Sequence, residues 1–372
     1  MFMAPFTRDR LSVVLCVAAA AAACAPGASS RAPMPDATRA SAASVSMNGA
    51  DEEVQVLARP DAQRVDVLIG GRPFTSYIYP SSLKKPVLFP LRTASGTIVT
   101  RGYPLEPRPG ERVDHPHHAG LWFSYGNVNG LDFWNNSTAI KPEDAPKMGT
   151  IVHRSIDGTT SGRGAGTLDV TTDWVDATGT ALLREATHFI FRGGTDLRAI
   201  DRITTLTALG RPVEFIDDKE GLIGMRVARG LEQPSTTPEK FTDASGRATA
   251  VAVLDNTGVT GRYLSSEGRE GDAVWGTRGR WATLSGVVNG EAVRIAMLDH
   301  PGNPGFPTYW HARGYGLFAA NPLGQKIFTN GRDQLNLRLA PGQSVTFRHE
   351  VLIMTGAAAT RSVERYYDAF AQ

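Results

Sequence analysis

Cysteine is nearly missing from this 372-residue chain, and both copies, Cys16 and Cys24, lie in the first two dozen residues. No disulfide and no thiol chemistry is therefore expected in the body of the protein, which must hold itself together by burial alone. Long apolar runs are missing too. After Ala23 no stretch approaches the roughly 18 residues of a membrane-spanning helix, so no second membrane segment is expected. Charge of one sign is not gathered anywhere. With Lys and Arg at 39, Asp and Glu at 37 and a formal net charge of +2, no Lys/Arg block marks a nucleic-acid surface.

What is present begins at the amino terminus. Arg8 and Arg10 precede an apolar run from Leu11 to Ala23, too short to span a bilayer permanently but suited to an export signal. The run ends Ala21-Ala22-Ala23-Cys24, which resembles the bacterial lipobox, in which a diacylglycerol is attached to the cysteine before cleavage. Residues 1–23 thus read as a lipoprotein signal peptide and Cys24 as the lipidated first residue of an exported protein. That protein would be anchored in the periplasm or at the outer membrane, and the lipid would be its sole membrane contact. Ordinary signal-peptidase cleavage near Ala23 is the alternative. Residues 24–48 are rich in Ala, Ser and Pro with few large apolar side chains, so they read as a tether that buries no core.

Residues 49–372 read as one β domain. Alternating or β-branched runs recur at 54–57, 65–69, 168–174, 187–191, 198–204, 293–298 and 345–353, and 41% of the chain is hydrophobic. Asp157-Gly158, Arg192-Gly193-Gly194, Asn289-Gly290 and Pro341-Gly342 are expected to be turns between them. Only 361–370, with Val363, Tyr366, Tyr367 and Phe370 at helical spacing, reads as a helix. Many strands without interleaved helices predict a large antiparallel β-sandwich with a short C-terminal helix.

Five of the eight histidines fall in two loop-like segments, Asp114-His115-Pro116-His117-His118 followed by Ala119 to Phe123, and Asp299-His300-Pro301 through to Trp310-His311 and Arg313. Imidazoles on loops held by a rigid frame suit a metal or acid–base site. A third segment, Asp217-Asp218-Lys219-Glu220-Gly221, adds carboxylates, of which Glu220 directly precedes an apolar run that would fix its direction. His118, His311, Glu220 and Arg313 are the candidate catalytic residues. His115, His117 and His311 are candidate ligands for a divalent metal, with zinc, manganese, iron or nickel suiting such a mixed N/O set. Without a metal, Glu and His divide the base and acid roles. Trp122, Trp134 and Trp310, with Asn129, Asn303 and Asn321, are candidate contacts for a carbohydrate or glycoside, since sugars are gripped by aromatic planes and amides; Asn127, Asp132 and Asn135 stand in the same stretch. The two histidine segments are expected to meet in one pocket with Glu220 and Arg313 at its edge.

The strings DHPHHAGLWFSYGNVNGLDFW, DDKEGLIGMRVA and LDHPGNP followed by PTYWHARGYGLFAANPLG resemble the signature blocks of an exported bacterial family that carries the label PmoA-like, or "methane oxygenase PmoA". The resemblance spans about Val54 to Leu352. It implies a sandwich similar to sugar mutarotase-like domains and a setting of glycan degradation. In those domains two histidines and a carboxylate on a concave face open or cleave sugar rings, but the spacing here differs, so no residue is carried over. Three classes of function follow: an enzyme acting on a sugar or glycoside by hydrolysis, elimination or epimerisation; a non-catalytic glycan-binding lipoprotein; and a metal-dependent oxygenase-like protein. The histidine clusters favour the first, since a binding module needs aromatic platforms but no imidazoles.

Overall fold

The computed structural model describes residues 52–372, so the expected signal, Cys24, the tether and the first residues of the domain lie outside the described residues. Twenty-one strands follow one another: β1 (Glu53–Arg59), β2 (Arg64–Ile69), β3 (Arg72–Ile78), β4 (Val87–Leu88), β5 (Leu121–Phe123), β6 (Thr150–Thr160), β7 (Gly162–Arg163), β8 (Gly166–Val175), β9 (Ala181–Gly194), β10 (Leu197–Ala208), β11 (Val213–Phe215), β12 (Ile223–Arg226), β13 (Glu239–Thr242), β14 (Ala248–Val251), β15 (Arg262–Ser265), β16 (Trp281–Val288), β17 (Glu291–Asp299), β18 (Tyr309–Arg313), β19 (Leu317–Asn321), β20 (Leu337–Leu339) and β21 (Ser344–Met354). Two short helices close the chain, α1 (Gly356–Thr360) and α2 (Val363–Phe370).

Two large antiparallel sheets result. One has nine strands in the order β18-β19-β12-β5-β4-β3-β2-β1-β7, and the other has eight in the order β15-β16-β17-β21-β10-β9-β8-β6. Their inner faces pack because alternate residues are apolar. Val54, Val56, Val65, Val67, Phe74 and Tyr77 of the first sheet share one core with Leu168, Val170, Phe189 and Phe191 of the second. Phe74 meets Phe191 edge-on at 6.4 Å, and Tyr77 lies 6.0 Å from Phe189. The fold is thus the antiparallel sandwich expected from the alternating runs. Its terminal helix buries Val363, Tyr366, Tyr367 and Phe370 against Leu197, Ala199, Ala296, Leu298, Leu352 and Met354 of the eight-stranded sheet.

Two expected turns are strand instead. Asp157-Gly158 lies inside β6, where the register against β8 shifts between Ile156 and Gly158, so the glycine serves a bulge. Gly193 and Gly194 end β9 paired with Arg198 and Leu197, and the chain reverses at Thr195 and Asp196. Asn289-Gly290 is a two-residue hairpin turn as expected, with φ of 51° and 82°.

The other face of the nine-stranded sheet carries a second, smaller apolar layer of Val87, Phe89, Ala119, Trp122, Trp134, Leu317 and Ala319. The pleat assigns residues to it. In β5, Leu121 and Phe123 face the sandwich core while Trp122 faces out; in β18, Trp310 and Ala312 face in while His311 and Arg313 face out. Register then aligns His311, Ala319, Gly224 and Trp122 in one row across four strands, and Arg313, Leu317 and Arg226 in the next.

Candidate functional site

A cavity of about 270 Å³ opens over these two rows, lined by His115, His117, His118, Asn135, Lys219, Glu220, Trp275, His311, Arg313 and Tyr315. Residues almost 200 positions apart meet because the sheet order sets β5, β12, β19 and β18 side by side. His115, His117 and His118 come from the loop before β5, Glu220 from the loop before β12, His311 and Arg313 from β18, and Tyr315 from the β18–β19 turn.

The floor is built on Asp114. Its carboxylate accepts hydrogen bonds from Arg226 Nη2 at 2.7 and 3.0 Å, from His115 Nδ1 at 2.7 Å, and from Arg101 Nη1. Burial opposes ionisation of Asp114, but the His115 contact and the guanidinium groups of Arg226 and Arg101 outweigh it and hold the carboxyl far below the usual range. Arg101 is itself buried, which pushes its guanidinium down to about 9, and it also donates to the carbonyls of His115 and His118, pinning the loop. His115 sits at φ 43°, a left-handed conformation that a non-glycine residue holds only when its surroundings impose it. The Asp114 and Arg101 contacts are those surroundings.

Above this floor the rings stack. Tyr315, His115, His118 and Trp122 lie nearly parallel, with successive centroids 5.1, 4.8 and 5.1 Å apart and interplanar angles of 7°, 4° and 13°. Arg226 Nη1 approaches His118 Nδ1 at 3.3 Å; as arginine can only donate, Nδ1 accepts and the proton sits on Nε2, which is buried and has no partner. Burial, with the Arg226 guanidinium close by, holds His118 neutral. His117 is pushed to about 2 by burial and then by Lys85. Lys85 is also buried, which lowers its ammonium to about 7, and it donates to the Trp134 carbonyl at 2.7 Å.

On the opposite wall His311 Nδ1 donates to the Lys219 carbonyl at 3.1 Å, with Glu220 Oε2 at 3.7 Å. Its Nε2 makes no hydrogen bond among the described residues, and the ring lines the pocket. Burial pushes this imidazole to about 4, against the Glu220 charge that favours protonation. Glu220 is fixed from below, since its carbonyl accepts the Gly126 amide at 2.7 Å and a Cβ on Gly126 would stand 2.8 Å from the Glu220 Cβ. Lys219 Nζ pairs with Glu220 Oε1. Asn321 steadies the same loop through the Asp218 carbonyl at 2.8 Å. Arg313 stacks over Trp275 at 5.3 Å and makes no ion pair among the described residues.

Several expected site residues lie elsewhere. Trp122, Trp134 and Trp310 are wholly buried and present no face to a ligand: the first two fill the layer behind the imidazoles and the third faces the sandwich core. Asn129 is an exposed turn residue bonded to Pro212 and Glu214, Asn303 is bonded to Asp299 and the Arg348 backbone, and Asn321 is internal; none lines the cavity. Asn135 does, held by Asp132 Oδ2 at 2.7 Å. The metal set of His115, His117 and His311 is not assembled. Among the described residues no three His, Cys, Asp or Glu side chains converge as ligands; the rings of His115, His117 and His118 instead stack face to face or edge to face. Lys219, Trp275 and Tyr315 were not singled out from sequence. Tyr315 was within reach, two residues past Arg313, whereas Trp275 arrives from a turn that carries no motif.

A β-sandwich with an imidazole-lined pocket on one sheet face is the class that fold and site define. Within it, the chain belongs to the family described as "Family of unknown function (DUF6807)", whose model matches residues 64–368. No curated protein matches in sequence. Among solved structures, the chain is similar to the GH36 α-galactosidase AgaB from Geobacillus stearothermophilus, at 10% identity and a TM-score of 0.38 over 82% of this chain and 41% of that one. It therefore spans less than half the length of that enzyme. It is similar also to a protein of Synechocystis sp. PCC 6803, at 11% identity and a TM-score of 0.33 over 82% and 96% of the two chains. A third likeness is to an Escherichia coli K12 protein described as an aldose 1-epimerase, at 10% identity and a TM-score of 0.30 over 82% and 99%.

Proposed function

We propose that this protein is an exported carbohydrate-active enzyme that moves a proton on a sugar, by epimerisation or elimination beside a carbonyl. His311 is the base, neutral at physiological pH with Nδ1–H anchored on a carbonyl and Nε2 free. The Asp114–His115 pair is the second proton carrier, since a carboxylate on Nδ1 orients the ring and supports the imidazolium that forms. Arg313 and Lys219 bind substrate oxygens where negative charge would develop. Tyr315, held protonated by burial that pushes its hydroxyl up to about 12, supplies a donor.

The observation that carries this reading is the meeting of separately anchored imidazoles around one small polar cavity. It also ranks the reactions. Hydrolysis by a carboxylate pair needs two such groups facing the bond, about 5 to 9.5 Å apart, and the cavity lining holds one, Glu220. A pure glycan-binding role does not need several separately anchored imidazoles, and it loses its expected platforms with the burial of Trp122, Trp134 and Trp310.

The test is deuterium exchange at sugar C–H bonds, followed by proton NMR over a panel of sugars, glycosides and their keto derivatives. The wild-type protein should exchange or convert at least one of them, and His311→Ala should lower that rate by about 10²- to 10⁴-fold. Binding with neither exchange nor conversion would leave a sugar-binding protein in place of an enzyme.

A further inference from the structure

A second cavity, of about 400 Å³, lies on the other side of the 217–220 loop and shares Lys219 with the first. Its remaining lining is Asp217, Asp218, Lys326, Ile327, Asn330 and Gly331. Ile327 is one of three large apolar side chains that are exposed among the described residues, at 50%, and it stands in this lining. An apolar patch among amide, ammonium and carboxylate groups offers contact for the C–H edge of a sugar ring and partners for its hydroxyls, without the stacking plane an aromatic residue would add.

The wall is also built in advance. Asp217 accepts backbone N–H bonds from Gln325 at 3.0 Å, Lys326 at 2.9 Å and Leu335 at 2.8 Å, and the Thr329 hydroxyl bonds back to the Gln325 carbonyl at 3.0 Å. The turn so held serves both cavities. Phe328 packs on Trp275 at 5.5 Å and lies 6.3 Å from His311, while its neighbour Ile327 faces the second cavity. A ligand spanning both would meet little ordering cost on this side.

We propose that the second cavity is a subsite for the next ring of a glycoside, so that the substrate has at least two units, one over the imidazoles and one against Ile327 and Lys326. The assignment rests on the carbohydrate reading of the first pocket. Lys219, at the shared wall, lies between the two units.

Calorimetric titration tests it with methyl β-glucoside, methyl α-galactoside and methyl β-xyloside set against cellobiose, melibiose and xylobiose. In at least one series the disaccharide should bind the intact protein tenfold or more tightly than the methyl glycoside. The double variant Ile327→Ser/Lys326→Ala should lose that gain while binding the methyl glycoside within twofold of wild type, its melting temperature confirming that it folds. Equal affinity for both members of every series, or a gain that survives the double variant, overturns the subsite and leaves the first pocket's reading standing. Binding of none of the six overturns the subsite, and the reading of the first pocket then stands or falls with the exchange test, whose panel includes the keto derivatives.

Discussion

In the role proposed for it, His311 would serve chemistry and stability together. Its pKa of about 4, set mainly by burial, leaves it a neutral base at any pH where the protein would work. The base limb of kcat/KM should then fall near pH 4 rather than near 6.5, where a free histidine titrates. The same depression bears on folding, because the unfolded chain takes up a proton below about 6.5 and the native ring refuses it until about 4. Stability present above pH 6.5 is lost as pH falls through that window, and the gap corresponds to about 3 kcal/mol. In urea titrations at pH 7.5 and 4, His311→Gln should lose about 3 kcal/mol less on acidification than wild type; equal losses would show that burial of His311 does not set the acid limit. The comparison isolates His311 from His117 and His118, which are buried neutral in both proteins. Asp114 is a poor choice for such a test, since its removal strips two buried guanidinium groups of their carboxylate and would cost about 3–5 kcal/mol by itself.

At the level of strands, the indole layer behind the imidazoles fits because the row His311–Ala319–Gly224–Trp122 has small residues at its centre. A Cβ on Gly224 would stand 2.8 Å from Trp134 and 2.9 Å from Trp122, two indoles with no exposed side to move toward. Gly224→Ala should therefore destabilise by about 1–3 kcal/mol, against the small gain that alanine normally brings to a strand, and should tilt the His118 ring that stacks on Trp122. A denaturation midpoint equal to or above that of wild type would mean the tryptophans yield. This row marks the boundary of what the chain's pattern reveals. Each strand of the row is a short run in a loop-rich stretch, and which strands lie side by side depends on long-range pairing that local periodicity does not carry. The long strands β8, β9, β10, β17 and β21 are legible from alternation, and the histidine, glutamate and arginine segments from their residue types. The tryptophans misled because an indole beside a histidine looks alike as a platform or as packing, and the inward phase of β18 and the space over Gly224 that Trp122 and Trp134 fill decide the matter. The glycines misled in the same way: Gly158 and Gly193 permit a bulge and a close approach inside strands where a turn was equally allowed by composition.

For the molecule as a whole, the lack of cysteine among residues 52–372 means that burial and hydrogen bonding alone stabilise the sandwich. Reducing agent should leave the melting temperature of the protein unchanged. The two cysteines that do exist are set in an apolar run, and they differ in context. Cys16 lies inside the run, flanked by Leu15 and Val17, while Cys24 follows three alanines at its end, the position at which a lipobox cysteine is acylated. Lipidation there would add about 0.8 kcal/mol per buried methylene, and with more than one chain attached the anchor becomes lasting. Cys24→Ser should therefore move the protein from the membrane fraction to the soluble fraction, while Cys16→Ser should not, and mass spectrometry of the mature amino terminus should find a diacylglycerol on Cys24. Recovery of the unaltered protein wholly in the soluble fraction would exclude the anchor. An anchor at Cys24 would leave residues 25–52 between the lipid and β1, and so would hold the pocket within reach of the membrane surface.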